Sequence, residues 1–119
     1  MGLEAHMSRE SLVFKIKADF LKSLAHPVRL EILEYLKNRE ASVGAIVRGL
    51  GVEQSGLSKH LAILRQAGIL TSRQESVTVY YSIKDRGIFN ILRPIAEILR
   101  KKLKESHEML AHLGKVEQN

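Results

Sequence analysis

Leu57, Leu61 and Leu64 recur at i, i+4 and i+7, a spacing that puts three apolar side chains on one stripe of a helix. At about 100° per residue the opposite side carries Ser55, Lys59, Ala62 and Gln66, with Gly56 and Ser58 on the flanks. That outer face is short-chained and polar, so it can approach another surface closely and still offer hydrogen bonds. Gly68 predicts the helix stop, and a β-like segment begins at Ile69. Val77, Val79, Tyr81 and Ile83 then alternate with Thr78, Tyr80 and Ser82, the pattern of a half-buried strand. The predicted hairpin runs from Ile69 to about Arg73 and from Val77 to Ile83, with Gln74-Glu75-Ser76 at its tip.

The same periodicity organises the rest of the chain. Ser8 can cap a first helix carrying Leu12, Val13, Ile16, Phe20, Leu21 and Leu24. Pro27 suits a first helical position, and the helix it opens is expected to bury Val28, Ile32, Leu33 and Leu36 while Arg29, Glu31, Glu34 and Lys37 stay outside. Ala41-Ser42-Val43 reads as a short strand beside the hairpin, Ala45 to Leu50 as a brief helix, and Gly51 as the turn after it. Asp85 can cap a last helix from Arg86 to about Leu113, striped by Ile88, Ile91, Leu92, Ile95, Leu99 and Leu103. Pro94 inside that run predicts a kink or break near Ile91.

Composition narrows the class. In 119 residues there is room for one domain, expected over residues 8–113 with a flexible tail at 114–119. Residues 1–7, with His6-Met7 ahead of Ser8, read as a vector-derived leader. Nineteen Lys and Arg against thirteen Asp and Glu give a net charge of +6, which favours a polyanionic partner. With no cysteine, disulfide, thiolate-metal and thiol-redox chemistry are excluded. No apolar run approaches the ~18 residues of a membrane span, and a cytoplasmic location with no membrane partner is expected. Arg100-Lys101-Lys102-Leu103-Lys104 reads as the solvent side of a helix rather than a membrane-surface patch.

Ser58-x-His60-Leu61-x-x-Leu64-x-x-Ala67-Gly68-Ile69-Leu70 resembles the recognition helix of the ArsR/SmtB family of winged helix-turn-helix repressors. The stretch Phe20 to Leu33 is similar to that family's opening helices, and Val79-Tyr80-Tyr81-Ser82-Ile83 to the return strand of its wing. The resemblance covers roughly Leu12 to Leu103 and implies an α+β, mainly helical, winged helix-turn-helix. It further implies a homodimer formed through the first and last helices, from Leu12, Ile16, Phe20, Ile91, Leu92, Ile95 and Leu99. The implied function is sequence-specific binding of double-stranded DNA at a palindromic operator, with repression as the outcome. Gln54, Ser55, Gly56, Ser58 and Lys59 are the expected DNA contacts on the helix, and Arg73 the one on a wing otherwise poor in cations. The alternative is a protein-interaction module on the same fold that has lost specific DNA binding.

Two metal sites typical of the family lack their donors here. The cysteine site maps to Ala41-Ser42-Val43-Gly44, and the last-helix site keeps Asp85 but has Gly87, Ile98 and Lys101 where ligands are needed. Glu108 and His112, one turn apart, read as a solvated tail. No metal, no cofactor and no catalytic constellation are therefore expected, which leaves a small organic molecule as one option for an effector. His60 lies about 60° from the leucine stripe and is expected to be half-buried, hydrogen-bonding the fold.

Overall fold

The computed structural model describes the backbone of residues 8–117 and the side chains of residues 8–114. The leader expected at residues 1–7 lies outside them. Helix α1 spans Arg9–Leu24 and α2 Pro27–Tyr35; β1 is Ala41–Ser42; α3 spans Val43–Leu50 and α4 Gln54–Gln66. Strands β2 (Leu70–Glu75) and β3 (Thr78–Ile83) form the hairpin, and a 3-10 turn at Arg86–Ile88 leads into α5, Phe89–Glu117. The chain divides into two compact units, Met1–Asp85 and Arg86–Asn119.

Local chemistry sets most boundaries. The Ser8 hydroxyl accepts from the Ser11 amide at 3.1 Å, capping α1. At α2 the cap is an imidazole: His26 Nδ1 accepts from the Val28 amide at 3.1 Å, with Pro27 in the first turn. Helix α3 starts two residues earlier than expected, because Ser42 serves as both strand residue and cap, accepting from the Ala45 amide at 3.2 Å. Helix α4 ends as Gly68 predicted. Gly68, at φ 78°, donates to the Arg65 carbonyl, and Ile69 donates to that of Leu64, each at 3.0 Å. This closes a left-handed cap around two buried side chains, Leu64 and Ile69.

The core of the first unit is built from one face of each helix. Ile32, Leu33, Leu36, Ile46, Leu57, Leu61, Leu64 and Leu70 are almost wholly removed from solvent. Arg29 departs from expectation. It is half-buried, and its Nη1 donates to the Ser23 carbonyl at 3.0 Å, tying α2 to the end of α1. The charged group has a backbone carbonyl within reach at the helix corner, a partner that periodicity does not reveal.

The sheet order is β1-β3-β2, all antiparallel, with β3 central. Ala41 faces Tyr81 across one edge, and Arg73 faces Tyr80 across the other. The hairpin is longer than predicted: Glu75 pairs with Thr78, leaving Ser76 and Val77 as a two-residue turn with Ser76 at φ 55°. Val77, expected on a core-facing row, is therefore 92% exposed at the tip. Only Ile69 and Leu70, at the hairpin base, reach the core. The rest projects, so β3 is uniformly half-exposed instead of alternating.

Helix α5 runs unbroken through Pro94, for 29 residues or about 43 Å. The expected break at Ile91 is absent because Pro94 withdraws one amide donor near the helix start, where the exposed Asn90 carbonyl can turn to water. The helix also continues beyond Leu113, to Glu117.

Gly49 marks the tightest approach within the first unit. A Cβ built there would fall 2.3 Å from Tyr35 Cε1, so α3 meets the Tyr35 ring with backbone alone. The ring is also held by the Tyr35 hydroxyl, which donates to the Ala45 carbonyl at 3.4 Å. Gly49→Ala is expected to destabilise the fold by about 1–3 kcal/mol through overpacking. Urea denaturation checks this, and an unchanged or raised midpoint would refute the close contact.

Candidate nucleic-acid interface

Helix α4 is anchored on one side only. Leu57 is 1% exposed, and Leu61 and Leu64 are fully buried, while Gln54, Ser55, Gly56, Ser58, Lys59 and Ala62 all face solvent. The structure thus brings the five predicted helix residues onto the first two turns of one exposed face. Glu53 occupies the cap position without a side-chain hydrogen bond, so the first amides of α4 are not closed off by a cap. Ser58 donates its hydroxyl hydrogen to the Gln54 carbonyl at 3.3 Å and keeps its lone pairs for an outside donor. Gly56 has nothing within 4 Å of where a Cβ would sit. No packing inside the protein demands that glycine, although in a helix it costs about 1 kcal/mol relative to alanine.

Arg65 adds to this face a residue that the leucine spacing had not singled out. Arg65 and Gln66, exposed at the far end of α4, line with Ala62 and Tyr81 a shallow depression of about 380 Å³ between helix and sheet. Arg65 follows Ala62 by three residues, and that spacing is the signal that places it on this side.

Arg73, the predicted wing contact, stands apart from the helix residues. Its Nε and Nη2 donate to Glu40 at 2.6–2.9 Å, and its Nη1 donates to Glu75 at 2.7 Å. The guanidinium also lies 4.7 Å from the Tyr80 ring centroid. Hydrogen bonding from Arg73 holds the Glu40 carboxyl below the usual carboxylate range, and both carboxylates push the Arg73 pKa upward. Both shifts favour the charged forms of the pair.

Behind the exposed face sits a histidine pair. The rings of His60 on α4 and His26 at the α1–α2 corner have centroids 4.2 Å apart, tilted by 45°. His60 is half-buried as expected, but its Nδ1 is buried without a hydrogen-bond partner instead of bonding the fold. Burial lowers its pKa first, followed by the charges of His26, Arg29 and Lys59. His26 in turn must keep Nδ1 unprotonated to accept from Val28. Among the described residues, no group of three or more His, Asp or Glu side chains is placed to hold a metal ion.

A helix-turn-helix with an exposed polar recognition face beside a three-stranded wing defines a winged-helix DNA-binding protein. Comparison with known proteins gives the family. Residues 24–73 match a helix-turn-helix domain model. An uncharacterised HTH-type transcriptional regulator of Mycobacterium tuberculosis (Rv0081, strain H37Rv) is 37% identical over 102 residues, covering 85% of this chain and 90% of that one. Its crystal structure superposes with a TM-score of 0.71, over 78% of this chain and 94% of that chain at 38% identity. A biofilm growth-associated repressor of Xylella fastidiosa is 35% identical over 82 residues, 67% of this chain and 72% of that protein. The solution structure of Mb0332 from Mycobacterium bovis, described as a homodimeric winged helix-turn-helix domain of a possible ArsR-family regulator, gives a TM-score of 0.71 at 26% identity over 85% of this chain and 94% of that one. The chain belongs to the ArsR/SmtB family of winged helix-turn-helix transcriptional regulators. The family and these relatives are DNA-binding regulators of transcription, not enzymes. No helix among the described residues is long and apolar enough to cross a membrane.

The His60 site generates a pH dependence. Its folded-state pKa lies below the ordinary 6.5, so the unfolded chain binds the proton more readily. The stability linked to this group is complete above about pH 6.5 and declines as pH falls below that value. The melting temperature should drop between about pH 7 and pH 5, and His60→Gln should flatten part of that drop. Identical profiles for the two proteins would remove the buried imidazole as the cause.

Proposed function

We propose that this protein is a repressor that binds a palindromic operator as a homodimer. Gln54, Ser55, Gly56, Ser58 and Lys59 of α4 are the proposed contacts in the major groove. The observation that carries this reading is the one-sided burial of α4, which leaves a short-chained polar face exposed on a rigid mount. Serine hydroxyls and the Gln54 amide can meet base edges or phosphates, and Lys59 can meet a guanine edge or a phosphate. Gly56, which lacks a Cβ, leaves room on the flank of this face for close backbone approach to the DNA. An interaction module would carry aromatic or leucine side chains on this face, where only Ala62 and the half-buried Ile63 are apolar.

The dimer reading rests on apolar side chains left in solvent. On α1, Leu12 is 48% and Ile16 is 59% exposed; Phe20 is half-buried. On α5, Ile91, Ile95 and Leu99 are exposed and Leu92 is half-exposed. Stripes of this extent on a small domain mark surfaces that a second copy covers. The first unit then serves DNA reading, and the second, together with α1, serves assembly.

The test is binding to a labelled inverted repeat selected from random duplexes. With six to ten phosphates contacted, affinity should fall about 10³–10⁵-fold between 50 and 200 mM salt. Lys59→Ala should weaken binding, and Gly56→Ala should raise thermal stability while lowering affinity, a split that no folding defect produces. Equal affinity for the selected and random duplexes would reject operator recognition.

For assembly, Leu99→Glu should convert the dimer to monomer in sedimentation velocity and reduce operator affinity with it, since two linked half-sites bind better than one. A wild-type protein that is monomeric at micromolar concentration would end the dimer reading.

A further inference from the structure

Every charge on the wing is accounted for by one cluster. Between Leu70 and Ile83 the only ionisable side chains apart from the tyrosines are Arg73 and Glu75. Arg73 reaches over the Tyr80 ring toward Glu40, which precedes β1 at the opposite edge of the central strand. All three guanidinium nitrogens donate to carboxylates: Nε and Nη2 form a fork on Glu40, and Nη1 takes Glu75. One cation and two carboxylates give the cluster a net charge of −1. A cation already neutralised in this way contributes little to the counterion release that drives DNA binding. If it leaves Glu40 for a phosphate, it exchanges one anion for another and strands a carboxylate beside the polyanion.

We propose that Glu40 and Glu75 withhold Arg73 from the DNA backbone, so that the wing lowers affinity and Glu40 determines by how much. The inference rests on the DNA-binding reading of α4 and assigns the wing a role distinct from that of the helix. Glu40 dominates because it engages two nitrogens of the guanidinium in a fork, a geometry that also fixes the ring-stacked orientation. Its side chain is the less exposed of the two carboxylates, 34% against 68% for Glu75, so it exchanges less readily with water. The consequence is that specificity falls to α4, since a strongly cationic wing would add affinity for every duplex alike.

The experiment is fluorescence anisotropy on a labelled duplex across a salt series. It uses the wild type, E40Q, E40Q/E75Q, R73A and the triple variant E40Q/E75Q/R73A, each verified as folded by circular dichroism. E40Q/E75Q is expected to bind about three- to tenfold more tightly at low salt, with the salt slope steeper by about 0.9, one additional phosphate. E40Q alone should deliver most of that gain. R73A should weaken binding only by the modest factor that two newly unpaired carboxylates impose, with the salt slope unchanged, and in the triple variant the gain should shrink to the part due to the lost negative charge. A salt slope shallower by about 0.9 in R73A would show that Arg73 already grips a phosphate in the wild type and would overturn the proposal. An undiminished gain in the triple variant would overturn it too, because the carboxylates would then act only by repulsion. Should the wild type bind no duplex while E40Q/E75Q does, the withholding stands and the functional reading of the native protein fails. If neither binds, both fail.

Discussion

Three leucines on one side of α4 determine what the other side is free to do. Burying Leu57, Leu61 and Leu64 against α2, α3 and the base of the hairpin fixes both the depth of the helix and its rotation about its own axis. A rotation of one residue, about 100°, would bring Ser58 into the core and Leu57 into solvent. Each leucine is worth roughly 2–5 kcal/mol in a packed interior, so the helix has no competing orientation. The polar face can therefore consist of small, weakly structured side chains without losing its aim. Gly56 is tolerable there for the same reason, because tertiary burial rather than helix propensity holds the element together.

The hairpin depends on the same anchor. Ile69 follows the left-handed Gly68 and drops into the core beside Leu64, and the backbone bond from Ile69 to the Leu64 carbonyl joins helix end to strand start. Beyond Leu70 no residue of β2 is buried, so the geometry of that strand relies on the ladder with the half-buried β3 and on the ion-pair cluster across it. Surface ion pairs of that kind add little to stability, but they decide which charges the wing presents. Stability and recognition are thus carried by different residues within one short segment.

The histidine pair links recognition helix to scaffold. His26 caps α2 through Nδ1 and stacks against His60, whose neighbour in sequence, Lys59, points to the outside. The two imidazoles occupy a corner that also holds the half-buried Arg29, so the site carries positive potential without any carboxylate among the influences on His60. Burial and these charges together disfavour the protonated form of His60.

Much of this was legible in the sequence, because it depends on spacings of four residues or fewer. The leucine stripe, the Ser8 cap, Pro27 in the first turn of α2 and the Gly68 stop are all decided by local sterics and periodicity. The exposed residues of α4 follow from the same short-range rules, while the fold family was legible through the resemblance of the motifs at residues 58–70 and 79–83. What the tertiary structure alone decided are contacts between distant positions: Arg73 with Glu40, His60 with His26, and the Tyr35 ring against Gly49. None leaves a mark on periodicity. Arg73 looked like a free wing cation because Glu40 lies 33 residues away, across the central strand of the sheet. Val77 looked like a core residue because alternation does not say where a turn begins; the Glu75–Thr78 register does. The sequence by itself determined which faces are apolar and which are polar, since each residue carries its own hydration free energy wherever it lies. Which charges remain available on the polar faces is a property of the folded sheet, because an ion pair exists only where the register brings both partners together.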